Sequence, residues 1–473
     1  MLFYTKTFLL FWIVSFSLHF IFRKNQKVWP ILLAISSSVF YGKLDTRFLL
    51  LVLAIAASDF VLGILIENET VQSKKRRLVV LSIIVNLTVL GFFKYFNFFI
   101  SSTSDFLVAL GFHPHIQLLK IVLPIGISFF TFESLSYVIE IYRSHMKASR
   151  NFIEYYLFIV FFPHLVAGPI IQPKLLIAQF QNGPKITEYK IKNGLWRFFV
   201  GISKKLLIAD QLAYFVVDPV FTSPGMFNSL ETWIGVIGYS FQIYFDFSGY
   251  SDMALGLAQV YGFELPENFN FPYLAKNIRD FWRRWHISLS TWLRDYLYIS
   301  MGGGRGTRLE KYRNIFLTML LGGVWHGASY NFVIWGLLHG VYITVSHIFN
   351  DFFESDKKLG SRFEIVQVLL TFALVTFAWI YFRADNLGTA HAIIKKLFAP
   401  SSLQTPNLSF VVFCFLGASV IYYVIARLNF FTFMDKTFSG KMGNGFVVAV
   451  IVTIVCLVMI FDKQYSPFIY FQF

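Results

Sequence analysis

Apolar runs long enough to cross a bilayer recur from Thr5 to Phe461, separated by short polar gaps. A helix in hydrocarbon needs about 20 mostly apolar residues and must satisfy its backbone polar groups internally. By that measure the pattern predicts spans over 5–22, 47–66, 78–100, 118–141, 194–217, 230–250, 314–348, 365–383, 408–428 and 446–462. Shorter apolar runs near 28–41 and 152–171 are expected as short spans or re-entrant pieces. The expected fold is all-α: one polytopic membrane domain over 1–473, with about 10–12 transmembrane helices plus re-entrant or interfacial helices.

Residues 263–313 break the pattern, being polar, rich in Arg and Gly, and too long for a simple turn. Within them Ile278, Phe281, Trp282, Trp285, Leu289, Trp292, Leu293 and Tyr296 recur at three- and four-residue steps, predicting one apolar helical face. Arg279, Arg283, Arg284 and Arg294 fall mostly away from it, so this helix is expected to lie along or dip into the cytoplasmic interface. Clusters of Lys and Arg in short loops set the orientation. Arg23, Lys24 and Lys27, then Lys74 to Arg77, then Arg143, Lys147 and Arg150 mark the cytoplasmic side, and alternation places both termini outside. The run from Phe8 to Phe22 lacks a small-residue cleavage site and reads as a retained span.

Composition narrows the solvent. Charged residues make up 14% of the chain and hydrophobic ones 56%, with 58 Phe, against about 25% charged in soluble proteins. A mean hydropathy of +0.60 leaves too little polar surface for a soluble particle. The net charge of +15 is spread over interloop clusters, a pattern of membrane orientation and not of nucleic-acid binding. The two cysteines, Cys414 and Cys456, both lie in apolar runs, and no Cys/His spacing indicates a metal site or a disulfide framework.

Several residues are candidates for chemistry. Gly322-Gly323-Val324-Trp325-His326-Gly327 places an imidazole in an apolar stretch, where an ionisable side chain is costly and points to function. Desolvation keeps such a ring neutral and able to accept a proton, while flanking glycines let a substrate or another helix approach closely. The alternative is a structural histidine bonded to a neighbouring helix. His286 shares the flank of Trp282, Leu289 and Leu293, so it either orients a donor or hydrogen-bonds a carbonyl. His339 reads as packing. Lys276, Arg279, Arg283 and Arg284 suit an anionic donor such as a coenzyme A thioester, but on the residues alone attraction to anionic head groups of membrane lipid is the favoured reading. The carboxylates Glu133, Glu140, Asp246 and Asp252 in apolar surroundings read as ion pairs between helices, or as the proton path of an ion-coupled transporter or flippase. No Walker motif is present; Gly302-Gly303-Gly304-Arg305-Gly306 reads as a flexible turn. The terminal Phe468-Ile469-Tyr470-Phe471-Gln472-Phe473 is too short to span, and either tucks its Tyr470 hydroxyl into a cavity or anchors at the interface.

Taken together, Gly126 to Glu133 (GISFFTFE), Phe162 to Pro169 (FPHLVAGP), Tyr244 to Asp252 (YFDFSGYSD), Trp282 to Leu289 (WRRWHISL), Gly323 to Gly327 (GVWHG) and the aromatic tail resemble the membrane-bound O-acyltransferases. Among these they resemble the bacterial branch that O-acetylates alginate. The resemblance implies a ring of helices around a central cavity, a catalytic histidine at His326, a second histidine on the cytoplasmic approach at His286, and a covalent tyrosine relay at Tyr470. It further implies an acyl donor, acetyl-CoA, with no bound cofactor, and a multi-pass protein of the bacterial inner membrane. The acyl group passes to an extracytoplasmic SGNH hydrolase-like partner and through it to a cell-surface polysaccharide. His164 departs from the Gln common in this motif. The related D-alanyl transfer to teichoic acid from a carrier protein is the near alternative; the presence of the aromatic tail in this chain favours acetyl.

Overall fold

The computed structural model describes residues 1–43, 45–112, 116–353, 363–399, 410–427, 443–461 and 468–469, and among them every regular element is helical. The chain divides into two compact units, Met1–Gly194 with Ala254–Pro266, and Leu195–Met253 with Glu267–Phe473.

The first unit begins with α1 (Lys6–Phe22), α2 (Trp29–Gly42), α3 (Arg47–Asn68) and α4 (Gln72–Leu90), the last continuing through a π turn, Gly91–Tyr95, into α5 (Phe96–Ala109). Next come α6 (Ile127–Tyr142), α7 (Phe152–Val160), α8 (Phe162–Leu165) and α9 (Pro173–Asn182). The Thr5 hydroxyl caps α1 by accepting from the Phe8 amide. Helices α3, α4 and α6 pack on one another, and α2 packs on α7. The outer faces of α1 and α3 carry Leu10 and Leu50 at 69% and 71% exposure, which in water would be a liability and in lipid is the solvated state. The span expected over 118–141 is helical only from Ile127. Pro124 precedes the break, and Gly126 adopts φ +79°, where any Cβ would also meet the Leu165 carbonyl oxygen at 2.7 Å. The run 152–171 is likewise interrupted: α7 ends at Val160, and Pro163 has no N–H to extend it.

Helix α10 (Glu188–Ser203), which begins in the first unit and ends in the second, runs into a π turn, Lys204–Ala209, then α11 (Asp210–Leu212), a further π turn, Ala213–Val217, and α12 (Asp218–Thr222). There follow α13 (Ser229–Val260), α14 (Ile278–Arg284), α15 (Ile287–Trp292) with its π continuation Leu293–Tyr298, α16 (Arg308–His326) and α17 (Tyr330–Phe353). Last are α18 (Glu364–Arg383), α19 (Leu387–Leu397), α20 (Phe410–Arg427) and α21 (Asn444–Phe461). The apolar stretch 314–348 is thus two helices, not one. They form a close hairpin: a Cβ on Gly323 would collide with the Phe332 carbonyl, and one on Gly336 would lie 2.7 Å from the Met319 carbonyl oxygen. A capping box, Thr307 with Glu310, starts α16.

Among the described residues, five helices are long and apolar enough to cross a membrane: Arg47–Asn68, Gln72–Ala109, Tyr330–Phe349, Glu364–Arg383 and Asn444–Phe461. The protein is a multi-pass membrane protein of all-α class.

Candidate active site

The single amphipathic helix expected over 278–296 does not form; it breaks at Trp285 and His286. Trp285 is extended and His286 is left-handed at φ 42°, an uncommon state for a residue with a side chain. The preceding loop pairs with both sides of the break, the Asn270 amide donating to the Arg284 carbonyl at 2.9 Å and the Ile287 amide to the Asn268 carbonyl at 2.9 Å. Two backbone groups that a continuous helix would use internally are satisfied by the loop instead.

Asn268 fixes the imidazole. Its Oδ1 accepts from the Ser288 amide at 3.2 Å and the Ser288 hydroxyl at 2.9 Å, and lies 3.1 Å from His286 Nδ1. Because the Ser288 amide is an unambiguous donor, this oxygen is the acceptor, so Nδ1 carries the proton and Nε2 the lone pair. His286 is fully buried, which pushes its pKa down to about 3, and its ring stands edge-on to Phe247 at 4.6 Å.

His326 is the last residue of α16, buried, with Gly327 extended behind it. Its ring is walled by Trp325 and Trp335, each at 4.9 Å, and by Phe382 at 5.1 Å. The Asn331 side chain donates to the Ala384 carbonyl at 2.6 Å, tying the start of α17 to the end of α18 and so holding Phe382 in place. Ring contacts continue from Trp335 to Trp379 at 5.8 Å and from Trp379 to Trp285 at 5.0 Å, joining the surroundings of the two histidines. His339 accepts from Trp282 Nε1 at 3.3 Å and packs on Trp335 at 4.7 Å. It lies in the aromatic wall, on a different helix from His326.

The carboxylates of α13 meet two lysines of the first π turn. Gly201 and Gly249 allow the approach, since a Cβ on Gly201 would lie 2.5 Å from the Gly249 carbonyl oxygen. Lys204 pairs with Asp252 at 2.7 Å; Lys205 pairs with Asp246 at 2.8 Å and Asp210 at 2.7 Å. Arg197 bridges Asp252 and Glu267. Of the other carboxylates, Glu133 lies 3.0 Å from His164, both fully buried, and Glu140 lies 3.2 Å from His145. Asp246 and Asp252 therefore sit in ion pairs with Lys and Arg, while Glu133 and Glu140 each face a histidine.

In the aromatic tail, Phe468 and Ile469 are buried at 1% and 2% exposure, and the Ile469 amide donates to Asp246 Oδ2 at 2.8 Å. Tyr470 lies outside the described residues. The cationic group is divided. Lys276 pairs with Glu364 at 2.6 Å and Arg284 with Asp280 at 2.8 Å, whereas Arg283 is exposed and Arg279 half-buried. The glycine turn is held by Asn314, whose Nδ2 donates to the Met301 and Gly303 carbonyls, both at 3.0 Å. Asn268, Trp335 and Lys205 were not singled out by sequence. Asn268 is an unremarkable loop polar residue, Trp335 one of many aromatics, and Lys205 is meaningful only opposite Asp246.

The model of the family described as MBOAT, membrane-bound O-acyltransferase, matches residues 1–384. The chain is 40% identical to a probable alginate O-acetylase, AlgI, of Pseudomonas aeruginosa, over 86% of this chain and 77% of that one. It is 33% identical to a peptidoglycan O-acetyltransferase of Helicobacter pylori, over 96% of this chain and 93% of the relative. It is 31% identical to a teichoic acid D-alanyltransferase of Bacillus subtilis, over 59% and 73%.

Proposed function

Because the chain belongs to the membrane-bound O-acyltransferase family and is an O-acyltransferase, we propose that it takes an acetyl group from cytoplasmic acetyl-CoA and passes it across the bacterial inner membrane. The acceptor is an extracytoplasmic SGNH hydrolase-like partner, which in turn O-acetylates a cell-surface polysaccharide. The observation that carries this reading is His326, buried at a helix end inside a cage of Trp325, Trp335 and Phe382. The imidazole there serves as general base. It removes the proton from an acceptor hydroxyl as the oxygen attacks the thioester carbonyl; the new C–O bond forms, the C–S bond breaks, and the proton leaves on the coenzyme A thiol. The aromatic wall excludes water that would otherwise hydrolyse the thioester.

His286, with Nδ1–H held by Asn268, directs Nε2 as an acceptor and serves to orient the donor. Arg283 and Arg279 supply positive charge for its phosphates, with Lys276 and Arg284 contributing through their paired positions. Tyr470 is the hydroxyl that carries the acetyl group outward. The higher identity and fuller coverage of the O-acetylating relatives support acetyl over D-alanyl transfer.

The test is incubation of the detergent-purified protein with radiolabelled acetyl-CoA, comparing wild type with His326→Ala and Tyr470→Phe. His326→Ala is expected to lower label transfer and coenzyme A release by at least about 100-fold, and Tyr470→Phe to abolish label retained on the chain. Label lost only in His326→Ala would leave the enzyme and remove the tyrosine relay. Absence of coenzyme A release from wild type, with the partner supplied, would overturn the donor assignment in favour of a D-alanyl carrier or transport.

A further inference from the structure

The tail that includes Phe468 and Ile469 lies beyond residues 1–384, to which the family match extends, yet both residues are buried as deeply as the core. An aromatic segment of this kind has another place to go, the lipid interface, but there its backbone N–H groups have no protein partner. Among the described residues the structure meets that demand at the Ile469 amide. Asp246 Oδ2 accepts the Ile469 amide at 2.8 Å, while Oδ1 is held by Lys205 at 2.8 Å. Lys205 also holds Asp210 at 2.7 Å, so two carboxylates share one ammonium as a triad. On the same helix the Phe468 ring packs against Tyr250 at 4.8 Å and Phe247 at 6.0 Å. Phe247 is the ring on which His286 stands edge-on at 4.6 Å.

We infer that Asp246 is a positioning residue for Phe468 and Ile469: held by Lys205, it latches the Ile469 backbone so that the Phe468 ring docks on the Phe247 and Tyr250 face of α13, on the ring that also packs His286. The consequence for transfer rests on the acyl-transfer reading above; the latch itself is testable without catalysis. Three variants separate its parts. Asp246→Leu removes the acceptor and leaves Lys205 paired with Asp210. Asp246→Asn keeps an acceptor oxygen. Ile469→Pro removes the amide proton from the other side and leaves the triad intact.

Each purified protein is exposed, folded and in detergent, to a carboxypeptidase, and the trimmed chain is weighed by intact-mass spectrometry. In wild type, trimming is expected to halt before Ile469. In Asp246→Leu and Ile469→Pro it is expected to pass Phe468 at least ten times faster, with Asp246→Asn close to wild type. Unfolding temperatures within about 2 °C of one another certify that only the tail has moved. Wild type trimmed past Phe468, or Leu and Pro variants that stay folded and protected, would overturn the latch. Should Asp246→Leu fail to fold, Ile469→Pro decides alone. A released tail with acetyl transfer unchanged would instead refute the relay function while leaving the latch standing.

Discussion

At Asn268 one side-chain oxygen serves the Ser288 amide, the Ser288 hydroxyl and His286 Nδ1, and its amide nitrogen reaches Ser251 Oγ at 3.3 Å. Removing it strands buried donors, so Asn268→Ala is expected to destabilise by about 1–3 kcal/mol, read as a lower unfolding midpoint in detergent, and to slow acetyl transfer by loosening His286. His286 also sets a pH dependence. Its folded pKa of about 3 lies below the ordinary value of 6.5, so the unfolded chain takes up the proton first. The stability this neutral ring contributes is complete above about pH 6.5 and is lost as pH falls toward 3. Thermal unfolding followed from pH 7.5 to 4.5 is expected to show a shallower decline in His286→Gln than in wild type. The choice of His286 was legible from its position among aromatics; its partner was not, because Asn268 lies 18 residues upstream.

Helices here are defined as much by where they stop as by where they run. Periodicity over 278–296 predicted one helix because three- and four-residue spacing survives a two-residue break, while the loop that captures the Arg284 carbonyl and the Ile287 amide leaves no mark on it. The same holds for 314–348: every residue is compatible with a span, yet the chain reverses after His326 because Gly323 and Gly336 let two helices touch backbone to backbone. A Cβ at Gly323 meets a carbonyl that cannot move aside, so Gly323→Ala is expected to cost at least about 1–3 kcal/mol. The check is a fall in unfolding midpoint together with a loss of activity, since His326, the proposed base, is three residues on.

For the molecule as a whole, lipid is the solvent and charge is its grammar. Carboxylates that sequence alone left open between ion pairs and a proton path each have a nearby basic partner, as buried charge requires. Orientation follows from exposed lysines and arginines. In a background lacking both native cysteines, Lys74→Cys is expected to resist a membrane-impermeant maleimide in intact cells and to react once the membrane is opened. Reaction in intact cells would invert the assigned topology.

The all-α membrane class, the family and the placing of His326 and His286 among apolar residues were determined by the sequence itself, because hydrocarbon imposes a length and polarity rule that leaves its mark on composition and local pattern. Where helices end, which nitrogen of His286 carries the proton, and why Lys205 stands opposite Asp246 and the tail were decided only by tertiary structure. Those facts are pairings between residues up to 223 positions apart, and one residue's identity carries no trace of the partner that will satisfy it.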